Sequence, residues 1–327
     1  VPEWPTTYFL VGPTAVGKSS IAQYLADTRS ASILSADSML IYRGMDIGTA
    51  TPTREERGDV PYYGVDLVDP EEDFSAWDYR VHALDALASI GVQTEVIVTG
   101  GTGLYVKSLT HGLSGHPGAD QALRREWERR LPGEGLAALQ DAVRAANPAG
   151  FESLADKENP RRLIRALETA GTSVARQEWQ DETGPTLVGL SMDPELLNAR
   201  IAQRVDEMYA QGLVDEVTQL LAREQPLSRT ARQAIGYAEA IDLVEGRMTQ
   251  AEAVERTVIR TRRLAKRQRT WFRHQARVDW VDVTPRSSVA SLAEAVVERW
   301  ERYGPTELRH GDGSGERPRG YTLSAPV

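Results

Sequence analysis

The feature that most constrains the fold of this chain is a run of eight residues, Gly12-Pro13-Thr14-Ala15-Val16-Gly17-Lys18-Ser19. It follows an apolar stretch at 8–11 that is typical of a buried strand, and it precedes Ile21, Tyr24 and Leu25, which have helical spacing. Strand, glycine-rich turn and helix form the setting in which the pattern G-x-x-x-x-G-K-S builds a phosphate-binding loop. The run therefore predicts an α/β fold with a di- or triphosphate site beyond one strand.

Each residue type in this phosphate loop (residues 12–19) has a chemical role. The glycines let the backbone curl so that successive N–H groups point inward, and the following helix N-terminus adds partial positive charge. Lys18 supplies a cation for the outer phosphate oxygens, and the Ser19 hydroxyl is placed to ligate Mg²⁺. We therefore expect all eight residues to bind the diphosphate. A chance match in an ordinary loop is the alternative, and the flanking strand and helix disfavour it.

Composition narrows the class of protein. The 327 residues are long enough for one large α/β domain with an insertion, and 41% apolar with 26% charged residues is typical of a globular protein. No apolar run reaches the length of a membrane span, and no signal peptide is visible. The chain contains no cysteine, which excludes disulfides, thiolate metal sites and cysteine nucleophiles and predicts a cytoplasmic protein.

An acidic residue ends the second predicted strand. Residues 31–36 are short and apolar, and Asp37 follows them. Because ligands of parallel sheets bind beyond the carboxyl ends of the strands, Asp37 is expected to face the same crevice as the phosphate loop. The alternative is a turn or helix-capping residue, since Asp is common at strand ends. The Met-, Tyr- and Gly-rich segment 39–50 is expected to form a wall of the site.

A second glycine-rich turn, residues 100–105, follows a predicted strand at 94–99. A motor ATPase or a GTPase would need an acidic residue here to hold its magnesium-bound water, and the chain has Gly100, Gly101 and Thr102 instead. The guanine-reading pattern Asn-Lys-x-Asp is also missing from the sequence. Both observations disfavour an NTP-hydrolysing switch.

The middle of the chain has a different character. Two amphipathic helices are predicted at 119–131 and 134–147, and a third begins after Pro160 and includes residues 161–168. Arginines are frequent on these helices, although a solvated helix face would explain any one of them. We interpret residues 114–185 as a small all-helical domain inserted into the α/β core.

A long helix near the end of the chain departs from the overall charge of −9. It begins at the capping box Thr249-x-x-Glu252, and its segment 260–274 contains seven Lys or Arg residues and no acid. Arg260, Arg263 and Arg267 share one face, as expected for contacts with nucleic-acid phosphates. The alternative is an ordinary solvated helix.

The predicted organisation follows from these boundaries. Residues 1–113 form the first part of a P-loop NTPase-like parallel sheet flanked by helices, and 114–185 form the helical insertion. Residues 186–303 complete the core with the basic helix, and the Gly-, Pro- and charge-rich segment 304–327 is predicted to be a disordered tail.

Six stretches in this order resemble the tRNA dimethylallyltransferases, which prenylate the adenine immediately 3′ of certain anticodons. They cover roughly residues 8–275 and comprise residues 12–19, 36–50, 98–105, 159–168, 234–237 and 264–273. The phosphate loop alone is unspecific, whereas Asp-Ser…Tyr-Arg-Gly-Met-Asp-Ile-Gly-Thr at 37–49 and Lys-Arg-Gln…Thr-Trp at 266–271 are specific.

The resemblance implies a function and a set of site residues. Dimethylallyl diphosphate would bind the phosphate loop with Mg²⁺ on Ser19, Asp37 would be the general base, and Arg232 and Thr102 would complete the catalytic group. The anticodon stem-loop of tRNA would be bound by the residues Asp37, Ser38, Met39, Leu40, Thr102, Arg124, Arg161, Arg162, Leu163, Ile164, Arg165, Arg263, Lys266, Arg267 and Arg273. We expect a monomer that does not associate with membranes.

Two other functions remain open at the level of sequence. A P-loop small-molecule kinase would share the phosphate loop and use Asp37 as the base for an acceptor hydroxyl, but it would leave the basic helix unexplained. A non-catalytic RNA-binding module would explain the basic helix, but Lys18, Ser19 and Asp37 are all intact.

Overall fold

A computed structural model describes residues 4–113, 120–154, 156–170 and 184–309. Its centre is a six-stranded sheet in the order β3-β2-β4-β1-β5-β6, and every pair of neighbouring strands is parallel. The strands are β1 Thr6–Val11, β2 Ser32–Ser35, β3 Tyr62–Tyr63, β4 Glu95–Gly100, β5 Thr186–Met192 and β6 Arg277–Val283. The predicted parallel α/β sheet is confirmed.

Helices connect the strands and cover the sheet. They are α1 Lys18–Arg29, α2 Arg54–Arg57, α3 Ala76–Ile90, α4 Gly103–Thr110, α5 Gln121–Ala146, α6 Pro148–Glu152, α7 Pro160–Glu168, α8 Pro194–Ala210, α9 Leu213–Leu221, α10 Arg229–Arg232, α11 Tyr237–Val244, α12 Gln250–Gln275 and α13 Val289–Tyr303. The capping box that opens α12 is present, with the Thr249 side chain accepting from Glu252 N–H. None of the helices in the described ranges is long and apolar enough to cross a bilayer.

The chain forms two compact units. The described residues of the first unit are 4–112 and 184–309, and those of the second are 113, 120–154 and 156–170. In the first unit, buried strand residues such as Leu10, Ile33 and Val188 pack against the helices. The second unit has its own small core, which includes Trp127, Val143 and Phe151. Each unit therefore buries apolar surface independently, as a separate domain must.

Several elements differ from the sequence-based expectation. The two helices predicted at 119–131 and 134–147 form one range that is interrupted at Gly135 (φ 78°). Strand β3 and helix α4 were not predicted, because a two-residue strand has no periodicity and α4 begins inside the second glycine-rich turn. Of the tail for which disorder is predicted, residues 304–309 run along the core, where Thr306 N–H donates to the Thr7 carbonyl (2.8 Å). Residues 310–327 lie outside the described residues.

Candidate active site and nucleic-acid interface

Three sequence motifs meet because β2, β4 and β1 are neighbours in the sheet. The phosphate loop leaves β1, Asp37 follows β2 and the second glycine-rich turn follows β4. Their carboxyl ends border a cavity of about 370 Å³ that is lined by Lys18, Ser19 and Asp37 among others. The cavity lies where parallel sheets place their ligands.

The conformation of the phosphate loop is that of an anion-binding turn. Ala15 and Gly17 have φ angles of 63° and 104°, so the backbone enters the left-handed region twice in three residues. Helix α1 begins immediately afterwards, and no side chain caps its N-terminus. The amide groups of the first helical turn are therefore available to an anion.

Lys18 lies in a partly desolvated and strongly charged setting. Its ammonium group donates to the Pro13 carbonyl at 2.7 Å. Burial lowers the pKa of Lys18 to about 8, against the opposing effect of Asp37 and with an additional lowering by Arg204. A bound anion would raise the pKa of Lys18 again, because its negative charge favours the protonated ammonium.

The position of Asp37 is compatible with both alternatives that the sequence left open. Its Oδ1 accepts the N–H of Met39 at 2.9 Å, which is a turn-forming contact, and its carboxylate also lines the cavity. Asp37 is half-buried. Farther along the same segment, Leu40, Thr49 and Ala50 also line the cavity, so residues 39–50 form part of its wall.

Thr102 acts on the backbone around Asp37. Its hydroxyl accepts the N–H of Ser38 at 3.0 Å and lies 3.3 Å from the Ser38 hydroxyl. The Thr102 N–H donates to the Ala36 carbonyl at 3.1 Å. Gly100 permits this approach, because a Cβ atom there would lie 2.2 Å from the same carbonyl oxygen. The second glycine-rich turn thus holds the segment that carries Asp37.

Arg232, expected by resemblance at the diphosphate, is not among the described residues that line the cavity. Its guanidinium pairs with Glu245 at 2.9 Å, and its side chain is 46% exposed. Two arginines of α8, Arg200 and Arg204, line the cavity instead. Burial lowers the pKa of Arg204, and its guanidinium also donates to the Thr49 carbonyl at 3.2 Å.

Arg200 and Arg204 were missed in the sequence, although a signal was present. They are four residues apart and therefore share one face of α8, the helix that follows β5. Strand β5 lies beside β1, and both side chains line the cavity together with residues of the phosphate loop. Without the strand order, the two arginines are indistinguishable from a solvated helix face.

The predicted RNA-contacting cations of α12, namely Arg263, Lys266, Arg267 and Arg273, are all exposed. Among the described residues, none of these four side chains forms an ion pair with a carboxylate. Arg263 and Lys266 also line a groove of about 320 Å³ together with Arg262 and Arg269. This face of α12 is called the outer face below, and it meets the electrostatic requirement for binding a phosphate backbone.

Arg260 differs from this group, although the sequence placed it on the same stripe. Its guanidinium pairs with Glu239, whose side chain is fully buried, and also donates to the Gln233 carbonyl at 2.9 Å. A buried carboxylate needs such a partner. Arg260 is therefore a structural residue and does not belong to the outer face.

Helix α7 of the second unit presents some of its predicted RNA contacts and buries others. Arg161 and Arg162 are exposed, whereas Leu163 and Ile164 lie in the core of the unit and offer no side chain to a ligand. The contact of the run 161–165 with RNA stays a prediction, and for Leu163 and Ile164 it could involve only the backbone. The sequence already indicated this burial, because Leu163 and Ile164 are adjacent apolar residues between arginines.

Arg124 and Arg165 are held by one carboxylate. Glu168, whose side chain is 2% exposed, accepts from Arg124 Nε at 2.6 Å and from Arg165 Nη1 at 2.9 Å. Both guanidinium groups remain more than a third exposed. A buried carboxylate between them fixes their orientation before any ligand binds.

The donor set for the expected Mg²⁺ is small. The described residues contain no cluster of three or more His, Asp or Glu side chains that could hold a metal. Ser19 is exposed and lines the cavity beside Lys18. This suits Mg²⁺, which commonly takes one or two protein oxygens and completes its octahedron with phosphate oxygens and water.

The phosphate loop, the uncapped helix and the parallel sheet define a P-loop α/β protein. The family model described as IPP transferase matches residues 40–275, and the model described as isopentenyl transferase matches residues 5–63. The chain belongs to the IPP transferase family, and the resemblance found in the sequence is confirmed.

Named relatives and solved structures agree with this assignment. The chain is 43% identical to a tRNA dimethylallyltransferase of Geobacter metallireducens over 83% of this chain and 90% of the relative. It is 38% identical to one of Corynebacterium jeikeium, over 88% and 94%. A tRNA isopentenylpyrophosphate transferase from Bacillus halodurans is structurally similar (TM-score 0.62, 33% identity, 91% and 97% covered). A eukaryotic dimethylallyltransferase, at 20% identity and a TM-score of 0.72, shares the fold.

Proposed function

We propose that the chain transfers a dimethylallyl group from dimethylallyl diphosphate to the exocyclic amine of the adenine 3′ of the anticodon in tRNA, releasing pyrophosphate. The observation that carries this proposal is that Lys18 of the phosphate loop and the Asp37 carboxylate line one cavity. A diphosphate-binding group and a proton acceptor are thereby available to the same reaction.

The bond changes define what the cavity must do. The adenine nitrogen forms a bond to the first carbon of the dimethylallyl group as the bond from that carbon to the diphosphate oxygen breaks. The amine is a poor nucleophile because its lone pair is conjugated with the ring, and it must lose a proton as the new bond forms. Asp37 accepts this proton as the general base.

The departing pyrophosphate gains negative charge. The amides of the phosphate loop, Lys18 and the guanidinium groups of Arg200 and Arg204 offer positive charge in a partly desolvated cavity, where it is most effective. Mg²⁺, held by Ser19 and the diphosphate, would supply further charge neutralisation. Arg204 takes the role that the sequence resemblance gave to Arg232.

Adenine must leave its stack to reach the cavity, which costs a few kcal/mol. The outer face of α12 and the arginines of the second unit would offset this by binding the anticodon stem-loop. All groups invoked come from one chain, so we propose that the enzyme acts as a monomer. We propose that it acts in the cytoplasm, as the cysteine-free sequence predicts.

The kinase alternative accounts for the cavity but not for the outer face of α12. Incubation with unmodified tRNA and either labelled dimethylallyl diphosphate or γ-labelled ATP separates the two. We expect label in tRNA from dimethylallyl diphosphate and no phosphorylated acceptor. Transfer of the γ-phosphate with no prenylation would overturn the proposal.

A further inference from the structure

Gln268 is a polar residue on the buried side of α12 that the proposed function does not use. On a helix with about 100° per residue, Gln268 lies about 160° around from Lys266 and shares a stripe with Leu264 and Trp271. The outer face points to solvent, whereas the stripe of Gln268 contacts the core, where Phe272 is fully buried. Gln268 itself lines the cavity.

The Gln268 side chain bonds directly to the phosphate loop. Its Oε1 accepts the N–H of Thr14 at 2.8 Å, across 254 positions of sequence. Within the loop, this contact fixes the N–H of Thr14, which immediately precedes Ala15, a non-glycine residue with a positive φ. A loop in a strained conformation keeps it only while surrounding contacts hold it.

The other end of the same amide lies against the second glycine-rich turn. A Cβ atom at Gly101 would lie 2.3 Å from Gln268 Nε2 and 3.3 Å from the Gly12 carbonyl oxygen. Gly101 therefore leaves the space that the Gln268 amide occupies. The amide spans the turns that follow two neighbouring strands, β1 and β4.

We infer that Gln268 is a positioning residue that holds the phosphate loop in its diphosphate-binding conformation. The inference rests on the proposed function for the identity of the diphosphate, but the role concerns any ligand of the loop. It predicts that loss of the Thr14 contact weakens diphosphate binding and leaves tRNA binding and the chemical step largely unchanged, because Gln268 lies away from the outer face and, among the described residues, forms no hydrogen bond with Asp37.

The substitution Gln268→Met tests the inference, because it removes both the Oε1 and the Nε2 atom of the side-chain amide and keeps a similar side-chain volume. We expect the Kd for inorganic pyrophosphate and the KM for dimethylallyl diphosphate to rise about tenfold, as for the loss of one buried hydrogen bond and its positioning effect. We expect kcat, the Kd for tRNA and the thermal midpoint to stay close to wild type. Gln275→Met, the same change at an exposed position of α12, is the control and should leave all five unchanged.

Gly101→Ala provides an independent variant. Its methyl group displaces the Gln268 amide without altering Gln268, so it should reproduce the tenfold rise, and the double variant should be no worse than either single one. If one of the two variants does not fold, the other still tests the inference.

Two results would overturn the inference. One is an unchanged pyrophosphate Kd in Gln268→Met, and the other is an equal loss of tRNA affinity with a lowered melt, which indicates a general structural role. If wild type binds pyrophosphate but does not prenylate tRNA, the proposed function fails while the effect on pyrophosphate still decides the inference.

Discussion

Two groups of cations in the first unit differ in how they are exposed. Lys18 and Arg204 line a cavity where burial lowers the pKa of both, whereas Arg263, Lys266 and Arg267 lie in solvent on the outer face of α12. Charges act more strongly in a desolvated site than in water, where salt screens them. Diphosphate binding in the cavity should therefore depend strongly on single residues, whereas tRNA binding at the outer face should depend on the summed contributions of many residues.

The largest expected effect is that of Lys18→Ala. We expect no detectable prenyl transfer and weakened diphosphate binding, while tRNA binding largely survives, because Lys18 contacts the phosphate loop and lines the cavity and does not lie on the outer face. Transfer assays and separate binding isotherms for pyrophosphate and tRNA measure this. Lys157→Ala, which removes an exposed lysine paired with Glu152, is the control. Loss of tRNA affinity with intact diphosphate affinity would contradict the division between the two regions.

Asp37→Asn should lower the single-turnover rate by at least a hundredfold. A positioned general base contributes about 10²–10⁴-fold. Asparagine keeps an oxygen for the Met39 N–H, so the turn and the thermal midpoint should persist. The rate and the melt are measured on the same preparation. Near-normal chemistry with a lowered melt would reduce Asp37 to a turn residue, since loss of such a cap costs only about 1 kcal/mol.

The pH dependence of diphosphate binding sharpens the comparison. Because the pKa of Lys18 is lowered to about 8, the ligand-free protein loses this charge as pH rises above 8. The Kd for pyrophosphate should be nearly flat below about pH 7, be about doubled at pH 8 and approach a tenfold rise per pH unit above it. Lys18→Arg stays charged and should remove the rise. A wild-type Kd that is constant between pH 8 and 9.5 would show that Lys18 keeps its proton.

The contribution of the outer face to tRNA binding should be measurable in the salt dependence of the Kd for tRNA. Arg263→Ala combined with Arg267→Ala should lower the slope of log Kd for tRNA against log salt by about 1.4 to 1.8, or about 0.7 to 0.9 for each phosphate contact. Binding isotherms at several salt concentrations measure it. Arg247→Ala, which removes an arginine paired with Asp242, serves as the control. An unchanged slope would mean that both arginines belong to an ordinary solvated helix face and do not contact RNA phosphates.

The smallest expected effect is that of Glu168→Gln in the second unit. Glutamine removes the buried charge that orients Arg124 and Arg165, so the Kd for tRNA should rise about threefold, the effect of partly releasing two ordered side chains. The KM for dimethylallyl diphosphate should not change. Tighter tRNA binding would instead mean that the Glu168 charge opposes RNA more than it orders the arginines.

Local patterns were enough to predict the main parts of the site. The phosphate loop, the strand that ends at Asp37 and the capped basic helix each depend on spacings of a few residues. The parallel sheet follows from strands that alternate with helices, which is why the fold class was predictable. The family resemblance added the roles of these residues to their positions.

The sequence by itself thus determined most of the local elements and which of them are predicted to bind phosphate, because periodicity, caps and turns act within one helix or strand. Only the tertiary structure decided which distant side chains meet. Strand order brings Arg204 to the cavity, Arg232 pairs with Glu245, and the Thr14–Gln268 contact joins positions 254 residues apart. Such contacts depend on the assembly of the core, and no local pattern encodes them.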